Sequence, residues 1–192
     1  MATRKLGRTP RKITPNSLES AALSYLQRYA TSAENLRVVL MRRVQRSANA
    51  HDDDPSAGAV LVHALIERYL QSGLLNDDVY AQGRAASLHR RGISRRGIAA
   101  RLAAKGVSSD DIDTALEQLS ALHENLDLDA ACNYARRRRL GPWRIKDRAG
   151  RRERDLAALA RQGYGYELAR RVIDAEDVSE LEAEIRNDSE DI

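Results

Sequence analysis

Phenylalanine is absent from this chain, tryptophan occurs once, and aromatic residues make up only 4% of it. A core must then be built from Leu, Ala, Val and Ile with a few Tyr, which favours small, closely packed helices over a β-sandwich. Cysteine is scarce as well. The lone Cys132 excludes an intramolecular disulfide framework and fits a reducing, cytoplasmic setting. It stands at helical spacing from Leu128 and Arg136, the position of core filler and not of a nucleophile. No apolar run approaches the roughly 18 residues of a membrane span, and no secretory apolar stretch is present, so no membrane partner is expected. The four histidines are scattered at 51, 63, 89 and 123. No spacing for a metal, a nucleophile or a phosphate loop emerges, so the expectation is neither an enzyme nor a cofactor binder. His51-Asp52-Asp53-Asp54 reads as a polar loop with capping acids, because adjacent residues do not converge like ligands spaced by helical turns.

One further absence is local. Between Val79 and Lys105 there is no Asp or Glu, while Arg84, Arg90, Arg91, Arg95, Arg96, Arg101 and Lys105 supply seven cations. Like charges at such density repel and stabilise nothing by themselves, so this stretch reads as a surface for a polyanion or an acidic protein groove. The formal net charge of +4 hides the asymmetry behind it. From Asp174 onward nine acidic residues face Arg186 alone, whereas the preceding 173 residues carry 31 basic and 19 acidic side chains. A basic body is followed by an acidic block, a composition expected to be solvated and mobile or folded back on a basic face.

What is present is helix grammar. The stretch Gly73 to Leu119 predicts three short helices. The first opens after Asn76 with Asp77 and Asp78 in its first turn and ends at Arg91-Gly92; Ser94 caps the second, which ends at Lys105-Gly106; Ser108 or Ser109 caps the third. Their apolar stripes read as Val79, Tyr80, Gly83 and Ala86; Ile98, Leu102 and Ala103; and Ile112, Ala115, Leu116 and Leu119. The same plan recurs. Leu102-x-x-x-Gly106-Val107 matches Leu159-x-x-x-Gly163-Tyr164, with Leu116 and Ile173 ten residues beyond each Gly. The prediction is an all-α, elongated and curved array of three tandem three-helix repeats, of the helix-turn-helix type. The segments are a basic disordered arm at 1–15, repeats at 16–75, 76–122 and 123–176, and an acidic tail at 177–192. Ser47 to Gly58 is expected to interrupt the first repeat as a loop.

A second basic cluster follows in the third repeat: Arg136, Arg137, Arg138 and Arg139, then Trp143 among Arg144, Arg151 and Arg152. A tryptophan just past a helix end packs against that helix more often than it stacks on a base; stacking is the functional alternative. These residues, with those of 84–105, form the candidate contact set. Several pieces together resemble the RecX regulatory proteins: Ala22-Leu23-x-x-Leu26 followed by Ser32-x-Glu34-x-Leu36-x-x-x-Leu40; Gly73-Leu74-Leu75-Asn76-Asp77 with Tyr80-Ala81; Arg90-Arg91-Gly92-Ile93-Ser94; Ile98-x-x-x-Leu102-x-x-Lys105-Gly106-Val107; and Leu159 to Tyr164. The resemblance covers roughly 16–176 and departs at Ser47–Gly58, around Trp143 and after Asp177. It implies a modulator of the RecA recombinase that lies in the groove of the RecA–single-stranded-DNA filament and inhibits its ATPase, strand-exchange and co-protease activities. It also implies a setting in recombinational DNA repair and the SOS response. The expected partner is the RecA filament, with single- or double-stranded DNA as a further candidate and the protein itself monomeric. The rivals are a helix-turn-helix protein reading duplex DNA, with Ser94-Arg95-Arg96 opening its recognition helix, and a sequence-tolerant single-strand binder acting without RecA.

Overall fold

A computed structural model describes residues 10–190 except Glu124, and the side chains of that span except Glu184 and those of 186–190. The described residues form ten α-helices and one 3-10 turn, with no strand. They fall into two compact units that divide after Asp77.

The first unit holds α1 (Pro15–Leu26), α2 (Ala33–His51) and α3 (Pro55–Gln71). Each start has a local cause. Thr14 and Ser17 exchange bonds in a capping box at Pro15, Ser32 Oγ accepts from the Asn35 N–H, and Asp54 accepts from the Ser56 N–H. The core is Leu18 and Ala22 from α1, Leu36, Leu40 and Val44 from α2, and Val62, Leu65, Ile66 and Tyr69 from α3. Each fully buried Leu or Val contributes about 1.5–3 kcal/mol. The expected loop at Ser47–Gly58 is much shorter. Helix α2 continues to His51, with Ser47 and Ala48 buried, and only Asp52, Asp53 and Asp54 lie outside helix. Those residues receive the start of the described chain: His51 Nε2 lies 2.8 Å from the Pro10 carbonyl, and Lys12 pairs with Asp53 at 3.1 Å. Residues 10–14 are therefore held on α2, while the remainder of the expected basic arm lies outside the described residues.

The second unit contains α4 (Asp77–Arg90), α5 (Arg95–Ala103), α6 (Ser109–Ala121), α7 (Leu126–Arg138), the 3-10 turn Gly141–Trp143, α8 (Arg148–Ala160), α9 (Tyr166–Asp174) and α10 (Val178–Glu190). Two cores lie side by side along the chain. One joins α4, α5 and α6 around Ile98, Leu102, Ile112 and Leu116; the other joins α7 to α10 around Cys132, Leu159, Val172 and Ile173. The lone cysteine is buried core filler. One helix ending recurs three times. Ile93, Val107 and Tyr164 each follow a glycine of positive φ, each donates its N–H to the carbonyl five residues back, and each buries its side chain.

The face of α4 differs from the stripe predicted for it. Ala81, Ala85 and Leu88 are buried, whereas Val79 is 61% exposed and Gly83 faces solvent. Ala103 of α5 is likewise exposed. Tyr80 and Ala86 of the predicted stripe do pack, partly buried, against this core, while the small Ala81 and Ala85 stand at its centre and let α4 close on its neighbours. The acidic segment after Asp177 is also not simply a solvated tail. It forms α10, whose Leu181 is buried with the second core and whose Ile185 packs against it; the end of that segment lies outside the described residues.

Candidate basic interface

All fifteen candidate residues belong to the second unit, and the fold sorts them into two kinds. Arg144 reaches back through Nε and Nη2 to both oxygens of Asp155, at 3.0 and 2.6 Å, and Asp155 also accepts the Gly141 N–H at 3.0 Å. Asp155 is 1% exposed, so this pair fixes the turn at Gly141–Trp143 from inside. Arg152 makes a two-pronged pair with Asp174, both contacts at 2.7 Å, which holds the carboxyl of Asp174 below the usual range. Arg151 pairs with Asp147 at 3.3 Å, and Trp143 packs half-buried against the core of α7 to α10. Arg101 is half-buried, directed at the Gly97 carbonyl and at Gln162 Oε1. These side chains are engaged within the fold.

The others face solvent. Arg90, Arg91, Arg95, Arg96, Lys105 and Arg136 to Arg139 are exposed, and Arg84 is partly so. Among the described residues, Arg84, Arg90, Arg91, Arg96, Arg138 and Arg139 have no acidic partner within salt-bridge distance. Two packing contacts bring the clusters of 84–105 and 136–139 together. The turn from α4 to α5 lies on α7: a Cβ on Gly92 would stand 2.5 Å from Tyr134 Cβ and 2.8 Å from the Ala130 carbonyl. Beside it, the Arg137 guanidinium donates to the Arg91 carbonyl. Further along, the opening turn of α5 lies on the α8–α9 turn, where Ser94 donates to the Gln162 carbonyl through both its N–H, at 3.2 Å, and its hydroxyl, at 3.1 Å. Asp127 Oδ1 accepts the Arg95 N–H at 2.6 Å. Two runs of arginine, with Arg91 and Arg137 separated by 46 positions in sequence, thus share one junction. Arg136 has an acidic neighbour in α10, with Glu182 at 3.9 Å.

One grouping has no counterpart in the sequence expectations. His89 and His123, treated as scattered, stand with ring centroids 4.5 Å apart, and Asp129 lies beside both. Burial, then the neighbouring His89, holds His123 below its usual value, with Asp129 opposing. No signal in a single sequence links the end of one helix to a connection two helices later.

Comparison with known proteins places this architecture. Residues 76–116 match the family model described as RecX, second three-helix domain. The regulatory protein RecX of Myxococcus xanthus is 45% identical over 168 residues, covering 86% of this chain and 89% of that protein. The chain belongs to the RecX family. The regulatory protein RecX of Thermobifida fusca is 31% identical over 171 residues, covering 88% of this chain and 84% of the relative. That of Agrobacterium fabrum is 29% identical over 165 residues, at 83% and 85% coverage. No solved structure matches. The RecX relatives carry the name of regulatory proteins and not of enzymes. In this RecX-family chain, no helix among the described residues is long and apolar enough to cross a membrane.

Proposed function

We propose that this protein is a regulator of the RecA filament, acting through the arginine surface where the α4–α5 turn meets α7. The observation that carries the reading is the junction itself: Arg90 and Arg91 are exposed on a turn seated against α7, next to Arg137 and the exposed Arg136, Arg138 and Arg139. A cationic surface spread over two packed helix groups suits a polymer with repeating acidic or phosphate-bearing faces better than a small molecule, because several weak contacts add up to avidity. The mode of action is inhibition: occupancy of the filament by this surface suppresses ATP hydrolysis, strand exchange and co-protease activity.

A duplex-reading role is less well supported. A recognition helix presents its N-terminal residues to base edges. Here the opening turn of α5 is engaged elsewhere, with Ser94 fully buried against Gln162 and the Arg95 N–H taken by Asp127. The sparse aromatics of the sequence offer few platforms for stacking single-stranded bases. Co-sedimentation tests the proposal: the protein pellets with preformed RecA–single-stranded-DNA filaments and lowers their ATPase, and it remains largely in the supernatant with the same strand at the same salt without RecA. Equal retention by naked DNA, or an unaffected ATPase, refutes it.

A further inference from the structure

We propose that His89, His123 and Asp129 form a binding site for a borderline-soft divalent cation of the Zn²⁺ class. The three come from different elements: His89 from the last turn of α4, His123 from the α6–α7 connection, Asp129 from the first turn of α7. Asp129 Oδ2 lies 3.9 Å from His89 Nε2 and 3.8 Å from His123 Nδ1, and one ligand atom from each residue lies within 4.8 Å of the other two. Zn–N and Zn–O bonds near 2.0–2.1 Å put tetrahedral ligands about 3.4 Å apart. The two carboxylate–imidazole distances therefore need to contract by about half an ångström to close on an ion, and the two imidazole nitrogens, within 4.8 Å of each other, by up to about 1.4 Å. His123, on a connection and not within a helix, is the residue placed to move.

Three features separate this from an accidental meeting of side chains. The carboxylate is oriented: Asn133 Nδ2 donates to Asp129 Oδ1 at 2.8 Å, which leaves Oδ2 turned toward the imidazoles, the outer-shell support that metal carboxylates use. The donor set of two imidazoles and one carboxylate suits zinc and its neighbours, whereas calcium and magnesium favour oxygen alone. The site also has a graded depth. The side chain of His89 is 4% exposed, that of Asp129 23% and that of His123 37%, so an ion enters from the His123 side, where a fourth position remains for water.

One bond opposes ligation. His89 Nε2 is 3.0 Å from the Leu126 carbonyl, so the free ring holds its proton there and donates it. Binding through Nε2 transfers that proton to Nδ1 and gives up one ordinary hydrogen bond in exchange for coordination. Because the ligands span α4 and α7, the ion would clamp those helices beside the junction that carries Arg91 and Arg137. The site does not depend on any assignment of what the arginines touch.

The test is titration of the full chain with Zn²⁺ in a calorimeter and with Co²⁺ followed by visible absorption. The expected result is one equivalent bound in the micromolar range or tighter, and an intense tetrahedral Co²⁺ band. His123→Ala and Asp129→Asn should each weaken binding by about 100-fold, since even outer-shell losses reach that range. His51→Ala and His63→Ala serve as controls that leave it unchanged, and far-UV circular dichroism shows that every variant is folded. Absence of saturable binding, or equal binding by folded His123→Ala and Asp129→Asn proteins, overturns the assignment.

Discussion

Ser94 and Gln162 are joined twice across 68 residues of sequence, by the serine N–H at 3.2 Å and by its hydroxyl at 3.1 Å, both donated to the glutamine carbonyl. The same hydroxyl accepts the Gly97 N–H at 3.0 Å, so one atom caps α5 and docks it on the α8–α9 turn. Ser94→Ala should destabilise the protein by about 1–2 kcal/mol, combining a lost cap with a weakened buried contact. Urea denaturation measures it; a change below about 0.3 kcal/mol would show that the cap and the docking bond contribute nothing net.

The Arg144–Asp155 pair predicts a larger effect. Removing one member of a buried pair costs about 3–5 kcal/mol, and partial exposure of Arg144 places this case toward the lower end. Asp155→Ala, which also orphans the Gly141 N–H, should therefore lower stability by about 3 kcal/mol. Arg90→Ala, at an exposed arginine of the same unit, should stay within about 0.5 kcal/mol of the parent. Chemical denaturation of the two variants side by side checks both.

Gly92 has φ +72° and no room for a side chain between Tyr134 and Ala130. Gly92→Ala should cost at least about 2 kcal/mol, from left-handed strain together with separation of the α4–α5 turn from α7. Gly73 shares the same φ, but a Cβ there would meet nothing within 4 Å, so Gly73→Ala should cost only the strain, about 1 kcal/mol. The difference between the two, read from denaturation midpoints, isolates the packing contribution.

How far the sequence disclosed this arrangement depends on whether its signals are local. Helix boundaries are local: Ser94 and Ser108 cap, and Gly92, Gly106 and Gly163 terminate, as their side chains and φ freedom dictate. The buried face of α4 is not. Val79 looks more apolar than Ala81 and Ala85, yet the approach of neighbouring helices selects the small pair and leaves Val79 exposed, with Tyr80 packed at the edge. The acidic end misled for a similar reason. A charge count over a window hides Leu181 and Ile185, one helical turn apart, and those two suffice to dock α10. The candidate site was legible as charge but not as geometry. Nothing in Arg144 or Arg152 announces Asp155 or Asp174 as partners, and only the folded chain sets Arg91 beside Arg137.

Tyr164 predicts a pH dependence. Its side chain is 3% exposed, its hydroxyl has no hydrogen-bond partner among the described residues, and burial, ahead of nearby acidic groups, pushes the phenol well above its usual value. The unfolded chain ionises near pH 10 while the folded phenol keeps its proton, so the unfolded state binds fewer protons there. Stability is unaffected below the ordinary tyrosine range and falls as pH rises through it. Tyr164→Phe should flatten that decline and raise stability at neutral pH by about 1 kcal/mol, since it removes an unsatisfied buried hydroxyl. Denaturation series at neutral and alkaline pH read both effects.

The arginine junction carries the functional prediction. If the proposed function holds, reversing Arg90 and Arg91 together should weaken inhibition of the RecA ATPase by about tenfold or more, because four units of charge change on the one turn proposed to meet the filament. Reversing Arg95 and Arg96 should act in the same direction with helicity unchanged, both side chains being exposed at the start of α5. The comparison that matters is salt. Contacts made by exposed charges are screened, so the parent protein should lose inhibition steeply as ionic strength rises, and the reversed variants, already deprived of those contacts, should lose it less. Parallel salt dependences in parent and variants would mean that this surface does not meet the filament, even if the variants inhibit poorly.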